Sequence, residues 1–277
     1  MTSILLIQCA DRIGLVATLA QTMAEANSNI VSMREYVDEE NMMFFCRMEL
    51  HGPFLTATTI GKLNTLLPYG VHIVYNPQPV KNIVVLVSKE HHCLADLLVR
   101  NHFGTLPVKV QSVIGNHKEL GDICKRFDVP FFYINTTDKT KQQFEGELMK
   151  TIEQFKPDLL VLAKFMRILS PDFVGAFTNR VINIHHSFLQ AFIGANPYKQ
   201  AYQRGVKLIG ATAHFVTNDL DEGPIISQQI IEVNHSFTAK NMSKAGKEVE
   251  TAVLARALKL AAENRILVWN HKTVIFE

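Results

Sequence analysis

Ile83-Val84-Val85-Leu86-Val87 is a run of five apolar residues, the pattern of a strand covered on both faces. The theme repeats downstream. Val108 to Ile114, Phe131 to Ile134 and Leu159 to Ala163 read as further apolar strands, with helical segments between them, the first from about His92 to Asn101. Apolar strands alternating with helices predict a mostly parallel, Rossmann-like α/β sheet, in which ligands bind outside the carboxyl ends of the strands. Thr238 to Glu263 reads as a long helix. Ile266 to Trp269 and Thr273 to Phe276, split by Asn270-His271, read as a closing hairpin.

Upstream of the run, Asn76-Pro77-Gln78-Pro79 places two prolines in four residues, which forbids helix, breaks strand pairing and marks a domain boundary. The segment before it has a different rhythm. A strand over residues 3–9 leads into a helix whose buried stripe is Leu15, Leu19, Met23 and Ala26. Strands from Ile30 to Val37 and Met42 to Leu50 flank a turn at Asp38–Asn41, and a helix from about Leu55 to Leu67 precedes a strand from Val71 to Tyr75. This β-α-β-β-α-β order is ferredoxin-like. The expected organisation is a small domain over 1–76, a linker over 77–80 and an α/β domain over 81–277.

Composition agrees with two packed domains. The chain has 277 residues, 47% hydrophobic and 19% charged, enough apolar material to exclude wholesale disorder. Its 28 Lys and Arg against 26 Asp and Glu leave a net charge of +2, too little for a general nucleic-acid or membrane-surface binder. Cys9, Cys46, Cys93 and Cys124 form no Cys-x-x-Cys pair and read as reduced thiols. The N-terminus lacks the pattern of a signal peptide, and no apolar run approaches the roughly 20 residues of a membrane span. A soluble cytoplasmic protein is expected, with no nucleic-acid or membrane partner.

Two polar clusters follow apolar runs. Asn183-Ile184-His185-His186-Ser187 comes directly after Val181-Ile182, and in an extended chain Asn183, His185 and Ser187 share one face. Asn218-Asp219-Leu220-Asp221-Glu222-Gly223 follows a strand from Leu208 to Val216, in which Thr212, His214 and Val216 share a face. Each cluster also has a plainer reading, as a capped strand end or a polar turn. His185, His214 and Asp221 have the ligand types of a metal site, but their spacing matches no familiar zinc motif. Ser187 lacks the glycines of Gly-x-Ser-x-Gly, and Cys93 beside His92 in a helix does not face it. No Gly-x-Gly-x-x-Gly follows a strand and no Gly-x-x-x-x-Gly-Lys occurs, so dinucleotide oxidoreductases and P-loop nucleotidases are excluded.

Asn183-Ile-His-His-Ser-Phe-Leu, Phe192-Ile-Gly-Ala-Asn-Pro-Tyr198 and His214-Phe-Val-Thr-Asn-Asp-Leu-Asp-Glu-Gly-Pro-Ile225 resemble the folate-dependent formyltransferases, whose motif is Asn-x-His followed by a Gly-containing loop and Asp-x-Gly. Gly205-Val-Lys-Leu-Ile-Gly-Ala-Thr-Ala-His214, together with the small first domain, looks most like the formyltetrahydrofolate deformylases, in which an ACT domain precedes a formyltransferase-like domain. Gln190 stands where the family usually has proline, and Asn196 occupies a variable position; both bear on loop rigidity.

The resemblance implies hydrolysis of 10-formyltetrahydrofolate to tetrahydrofolate and formate, supplying formate for purine synthesis and balancing one-carbon pools, with Asn183, His185 and Asp221 catalytic and neither metal nor redox cofactor. Asn183 and a protonated His185 would aim donors at the oxyanion, and Asp221 would pair with His185 and orient or deprotonate water. Met166, Arg167, Ile168 and Leu169 resemble the loop that holds the folate, and Thr217, Asn218, Asp219 and Leu220 the opposite wall. The loop Ser88-Lys-Glu-His-His-Cys93 has no glycine and an acid in its middle, so it suits an acceptor phosphate poorly; a net charge of +2 speaks against a tRNA acceptor, and by elimination water is the expected nucleophile. Asp11-Arg-Ile-Gly14 resembles the ACT effector loop, giving Asp11, Gly14 and Asn29 as effector residues, glycine or methionine as effector, and a homo-oligomer, a dimer of dimers. Two alternatives stand beside this: formyl transfer to a small amine, or a non-catalytic folate and amino-acid sensor.

Overall fold

A computed structural model describes residues 1–77, 80–186 and 197–277, with Pro197 described by its backbone alone. Part of the linker (78–79), Ser187, Gln190 and Asn196 therefore lie outside the described residues. The chain divides into two units. One holds the N-terminal segment together with Leu260–Trp269 and Thr273–Glu277; the other holds Val80–Lys259 and Asn270–Lys272.

The N-terminal segment runs β1 (Thr2–Ala10), α1 (Leu15–Glu25), β2 (Asn29–Asp38), β3 (Met43–His51), α2 (Ala57–Leu66) and β4 (His72–Asn76), in the expected βαββαβ order. Its strands form an antiparallel sheet in the order β2-β3-β1-β4. Alternation sorts the side chains: Leu5, Ile7 and Cys9 of β1 pack with Leu15, Leu19 and Met23 of α1, while Leu6 faces the other way beside Phe45. Asp38 shapes the β2–β3 turn by accepting the backbone N–H of Asn41 at 3.1 Å.

The second unit begins with β5 (Lys81–Val87), α3 (His92–His102), β6 (Val108–Gly115), α4 (Gly121–Arg126) and β7 (Phe131–Tyr133). It continues with α5 (Lys141–Glu153), β8 (Leu159–Ala163), α6 (Pro171–Ala176), β9 (Val181–His185), α7 (Pro197–Arg204), β10 (Leu208–Phe215), β11 (Ile225–Glu232) and α8 (Ala239–Ala262). The sheet order is β11-β10-β9-β8-β5-β6-β7. Strands β5 to β9 are mutually parallel, and residues 83–87 are fully buried, as a strand covered on both faces must be. Because β6 and β8 flank β5 on opposite sides, the chain reverses direction there and leaves a crevice beyond the strand ends.

The sequence pattern did not reveal two features of this sheet. β10 runs antiparallel to β9, and β11 forms an antiparallel edge beside β10. The polar centre of β11, Ser227-Gln228-Gln229, hides its strand character because only one of its edges is paired.

The chain ends with β12 (Ile266–Trp269) and β13 (Lys272–Ile275), joined through Asn270 and His271, both at positive φ. The boundaries expected from sequence gave 81–277 to one domain, whereas the structure groups most of this last segment with the first unit. The reason is apolar cover. Leu267 and Phe276 close over Leu6 and Phe45 on the sheet face that α1 and α2 leave open. Arg47, 5% exposed, donates Nε to the carbonyl of Asn264 and Nη2 to that of Glu263, at 3.1 and 3.2 Å, just past the end of α8. Among the described residues no helix is long and apolar enough to cross a membrane.

Candidate active site

Asn183 and His185 share a face of β9 by the period of two, and His185 is the last residue of that strand. Both converge on Asp221. His185 Nδ1 lies 3.2 Å from Asp221 Oδ2, and Asn183 Nδ2 lies 3.5 Å from Oδ1. Its contact with His185, above all, holds the Asp221 carboxyl far below the ordinary carboxylate range, against the opposing effect of burial. The carboxylate is therefore anionic at any physiological pH, and it engages His185 through Nδ1, leaving Nε2 on the far side of the ring.

His214 completes the cluster, and sequence reasoning treated it only as a metal-ligand candidate. It is 2% exposed and pairs laterally with Asn183 across the β9–β10 ladder. Its Nδ1 lies 2.9 Å from the Phe215 carbonyl oxygen, which can only accept, so Nδ1 carries the proton. Nε2 then faces Asn183 Nδ2 at 3.2 Å and Asp221 Oδ1 at 3.6 Å. The Asn183 amide thus has one firm partner, and its longer contact to Asp221 is the one a substrate oxygen can replace.

Asp221 does not come from a strand end. Since β10 is antiparallel to β9, its carboxyl end lies beside the start of β9, and Val216 N donates to the Val181 carbonyl. Residues 216–224 must fold back to bring the carboxylate level with His185. Asp221 itself sits at φ 57, a left-handed conformation that aspartate tolerates. Gly223 is packed so closely that a Cβ there would lie 1.7 Å from the Phe215 oxygen.

The segment Phe165–Leu169 is fixed at both ends. Met166 N donates to Ser88 Oγ at 3.0 Å. Ser170, which caps α6, donates its backbone N–H to Glu145 at 2.8 Å and its hydroxyl to the same carboxylate. Arg167 stacks over Phe144 at 5.7 Å, and Leu169 is buried, while Met166 and Ile168 remain exposed. These four residues line a recess of about 360 Å³. In the other loop Leu220 is exposed, Asn218 and Asp219 also face solvent, and Thr217 donates its hydroxyl to the Asp219 carbonyl at 3.2 Å. Three exposed apolar side chains on these two loops suit a flat aromatic ligand.

A larger crevice of about 720 Å³ opens beyond the parallel strands, bordered by Ser88, Asn116, Lys164 and His186, each placed shortly after a strand end. Its floor is a buried network. Glu250, 1% exposed, accepts from His92 Nε2 at 2.7 Å, Lys164 Nζ at 3.1 Å and the Tyr198 hydroxyl at 2.7 Å. Burial alone would raise its pKa, yet these donors bring it down to about 2. The acid in the Ser88–Cys93 loop, Glu90, pairs with Lys247 at 2.6 Å. Contrary to the expectation from helix spacing, His92 and Cys93 both reach the same point: with Glu250 their ligand atoms lie within 4.8 Å of one another. The carboxylate is already saturated by donors, an ammonium stands beside it, and burial followed by the Glu250 charge pushes the Cys93 thiol up to about 12. This is a hydrogen-bonded core cluster, poorly suited to a cation.

The expected effector residues separate. Asp11 and Gly14 lie after the end of β1, where Gly14 at φ 92 precedes α1. Asn29 opens β2 opposite His51, which also pairs with Thr2 at the start of β1. α1 carries the chain back along the sheet, so Asn29 sits roughly 25 Å from Asp11 at strand rise.

An α/β unit with an Asn-x-His strand and a folded-back aspartate loop, joined to a βαββαβ unit, defines a class. Residues 81–258 match the formyl transferase family and residues 3–58 the ACT domain. The formyltetrahydrofolate deformylase of Haemophilus influenzae is 47% identical over 272 residues, 98% of each chain. The crystal structure of a formyltetrahydrofolate deformylase from Pseudomonas syringae superposes with a TM-score of 0.94 at 38% identity, covering 100% of this chain and 94% of that one. The glycinamide ribonucleotide transformylase 1 of Symbiobacterium toebii shares 29% identity at a TM-score of 0.69, covering 74% of this chain and 98% of its own. This chain belongs to the formyltetrahydrofolate deformylase family.

Two predictions follow from the geometry. Gly223→Ala should push the aspartate loop off β10 and lower kcat by roughly a hundredfold, as expected for a misplacement near 1 Å, measured with melting curves that show the fold intact. For Glu250 the folded pKa of about 2 lies below the ordinary 4.5, so its stabilisation is complete above pH 4.5 and fades as pH falls toward 2. The stability gap between the native protein and Glu250→Gln, compared from pH 7 to pH 3, should narrow by about 2 kcal/mol, nearly all of it below pH 5.

Proposed function

We propose that this chain hydrolyses 10-formyltetrahydrofolate to tetrahydrofolate and formate, with Asn183, His185 and Asp221 as the catalytic residues. Family membership supports the reaction, and the approach of His185 Nδ1 to Asp221 at 3.2 Å carries the assignment of roles. Water adds to the formyl carbon and its carbonyl oxygen becomes an oxyanion. His185 Nε2–H and the Asn183 amide donate to that oxygen, each such donor contributing about 3 kcal/mol. Asp221 is too weak a base in the resting enzyme to take a proton from free water, so it acts first as the charge partner of His185 and as an acceptor that orients the attacking water. As the tetrahedral intermediate forms, one water proton passes to the Asp221–His185 pair and on to N10. The C–N10 bond breaks, and formic acid leaves and ionises. Atoms and electrons balance without a redox partner, and we take the reaction to need neither metal nor redox cofactor.

Met166, Arg167, Ile168 and Leu169, with Thr217, Asn218, Asp219 and Leu220, form the proposed folate-binding walls. The ACT-type unit is of the amino-acid-binding kind. We assign it control by glycine or methionine at Asp11 and Gly14, in a dimer of dimers, and the formate released feeds one-carbon and purine synthesis.

With the folate donor and water alone, purified protein should release formate, and a chelator should leave the rate intact. His185→Ala and Asp221→Ala should each cost roughly a thousandfold in kcat and the double variant little more, because the residues act as a unit. Formate appearing only on addition of an amine would overturn hydrolysis, and zinc-restored loss under chelation would overturn the metal-free reading. Glycine or methionine should change the turnover of a tetramer seen by light scattering, and Gly14→Val should remove the response. A monomer insensitive to both amino acids would refute control through this unit.

A further inference from the structure

His186 follows the catalytic histidine but has no part in the chemistry described above. Its ring lies on that of His185 with centroids 4.7 Å apart and planes at 24°. Its Nε2 is buried and makes no hydrogen bond among the described residues. Tyr198 backs it at 6.5 Å. That tyrosine is itself held: its hydroxyl donates to Glu250 at 2.7 Å, and its ring occupies space that α8 leaves open at Gly246, where a Cβ would meet the hydroxyl oxygen at 2.1 Å.

We propose that His186 is a positioning residue for the hydrolysis: its stacked ring fixes the plane in which His185 presents Nε2, while Asp221 fixes the opposite nitrogen. The inference rests on the reading of His185 as catalytic. One hydrogen bond to Nδ1 leaves the imidazole free to swing about that contact; a planar wall against its face removes the motion. The charged and titratable groups around His186 are Lys164, His185, Glu250 and Asp221. Burial first, then the positive charges of Lys164 and His185, lowers its pKa to about 4, so near neutrality it is an uncharged plate. An aromatic face against a ring that becomes cationic is itself attractive.

The test separates stack from nitrogen. His186→Ala should lower kcat about tenfold or more with KM within about twofold, because the loss is of transition-state geometry alone. His186→Phe, which keeps the plate without its nitrogens, should recover kcat to within about threefold of the native value. Melting curves establish folding, and where the alanine variant does not fold, His186→Gln takes its place. Native kcat in the variant without a ring, or His186→Phe falling as far as His186→Ala, would overturn the proposal. His185→Ala is the control for the underlying reading: if it retains activity, both fail, whereas if it is inactive while the variant without a ring is not, only the positioning role fails.

Discussion

The Asp221 carboxylate, half-buried between two imidazoles and an amide, is the constraint on which this site depends. A carboxylate removed from water must be matched by donors, and here the match comes from His185 at 3.2 Å and Asn183 at 3.5 Å, with His214 orienting the amide. Each partner is oriented in turn. The Phe215 carbonyl fixes the His214 tautomer, His214 turns the Asn183 amide, and the carboxylate turns His185. The result is a set of dipoles arranged before any substrate arrives, which is where electrostatic catalysis gets its advantage over water.

The sheet explains how a carboxylate 36 residues beyond His185 arrives beside it. Five parallel strands deliver Ser88, Asn116, Lys164 and His185 to one edge. A sixth parallel strand would carry its following loop to the same edge without a reversal. β10 instead runs the other way, so His214 enters the site from within the strand and Asp221 returns on a folded-back loop. The reversal brings two groups from one strand-loop segment to the same point from different directions. It needs a left-handed residue at 221 and no side chain at 223.

Much of this architecture was legible because burial on both faces leaves an unmistakable mark: the apolar runs at 83–87 and 159–163 are strands with nearly the limits read from sequence. The convergence of Asn183, His185 and Asp221 was legible only through resemblance to a family, since no local periodicity shows that a loop folds back. β11 was invisible because its central polar residues break the alternation. The hairpin was recognised, but its packing partner was not, because the match of Leu267 and Phe276 to Leu6 and Phe45 spans most of the chain. The same applies to His92 and Glu250, 158 residues apart. The separation of Asn29 from Asp11 was likewise invisible, because the intervening helix carries the chain to the other end of the sheet.

Two carboxylates, one half-buried and one buried, act on the His185–His186 stack, and their different surroundings assign the rings different tasks. Asp221 bonds His185 directly. Glu250 is saturated by His92, Lys164 and Tyr198, and the pull of its charge on His186 is outweighed by burial and by the charges of Lys164 and His185. Were His186 protonated, the stack would press two cations together at 4.7 Å, a repulsion that would loosen the ring that must hold still. Burial of His186 therefore guards the proposed catalytic geometry. It keeps the second histidine neutral and the first paired, and lets an aromatic face do the positioning that a second hydrogen bond would do at the cost of blocking Nε2.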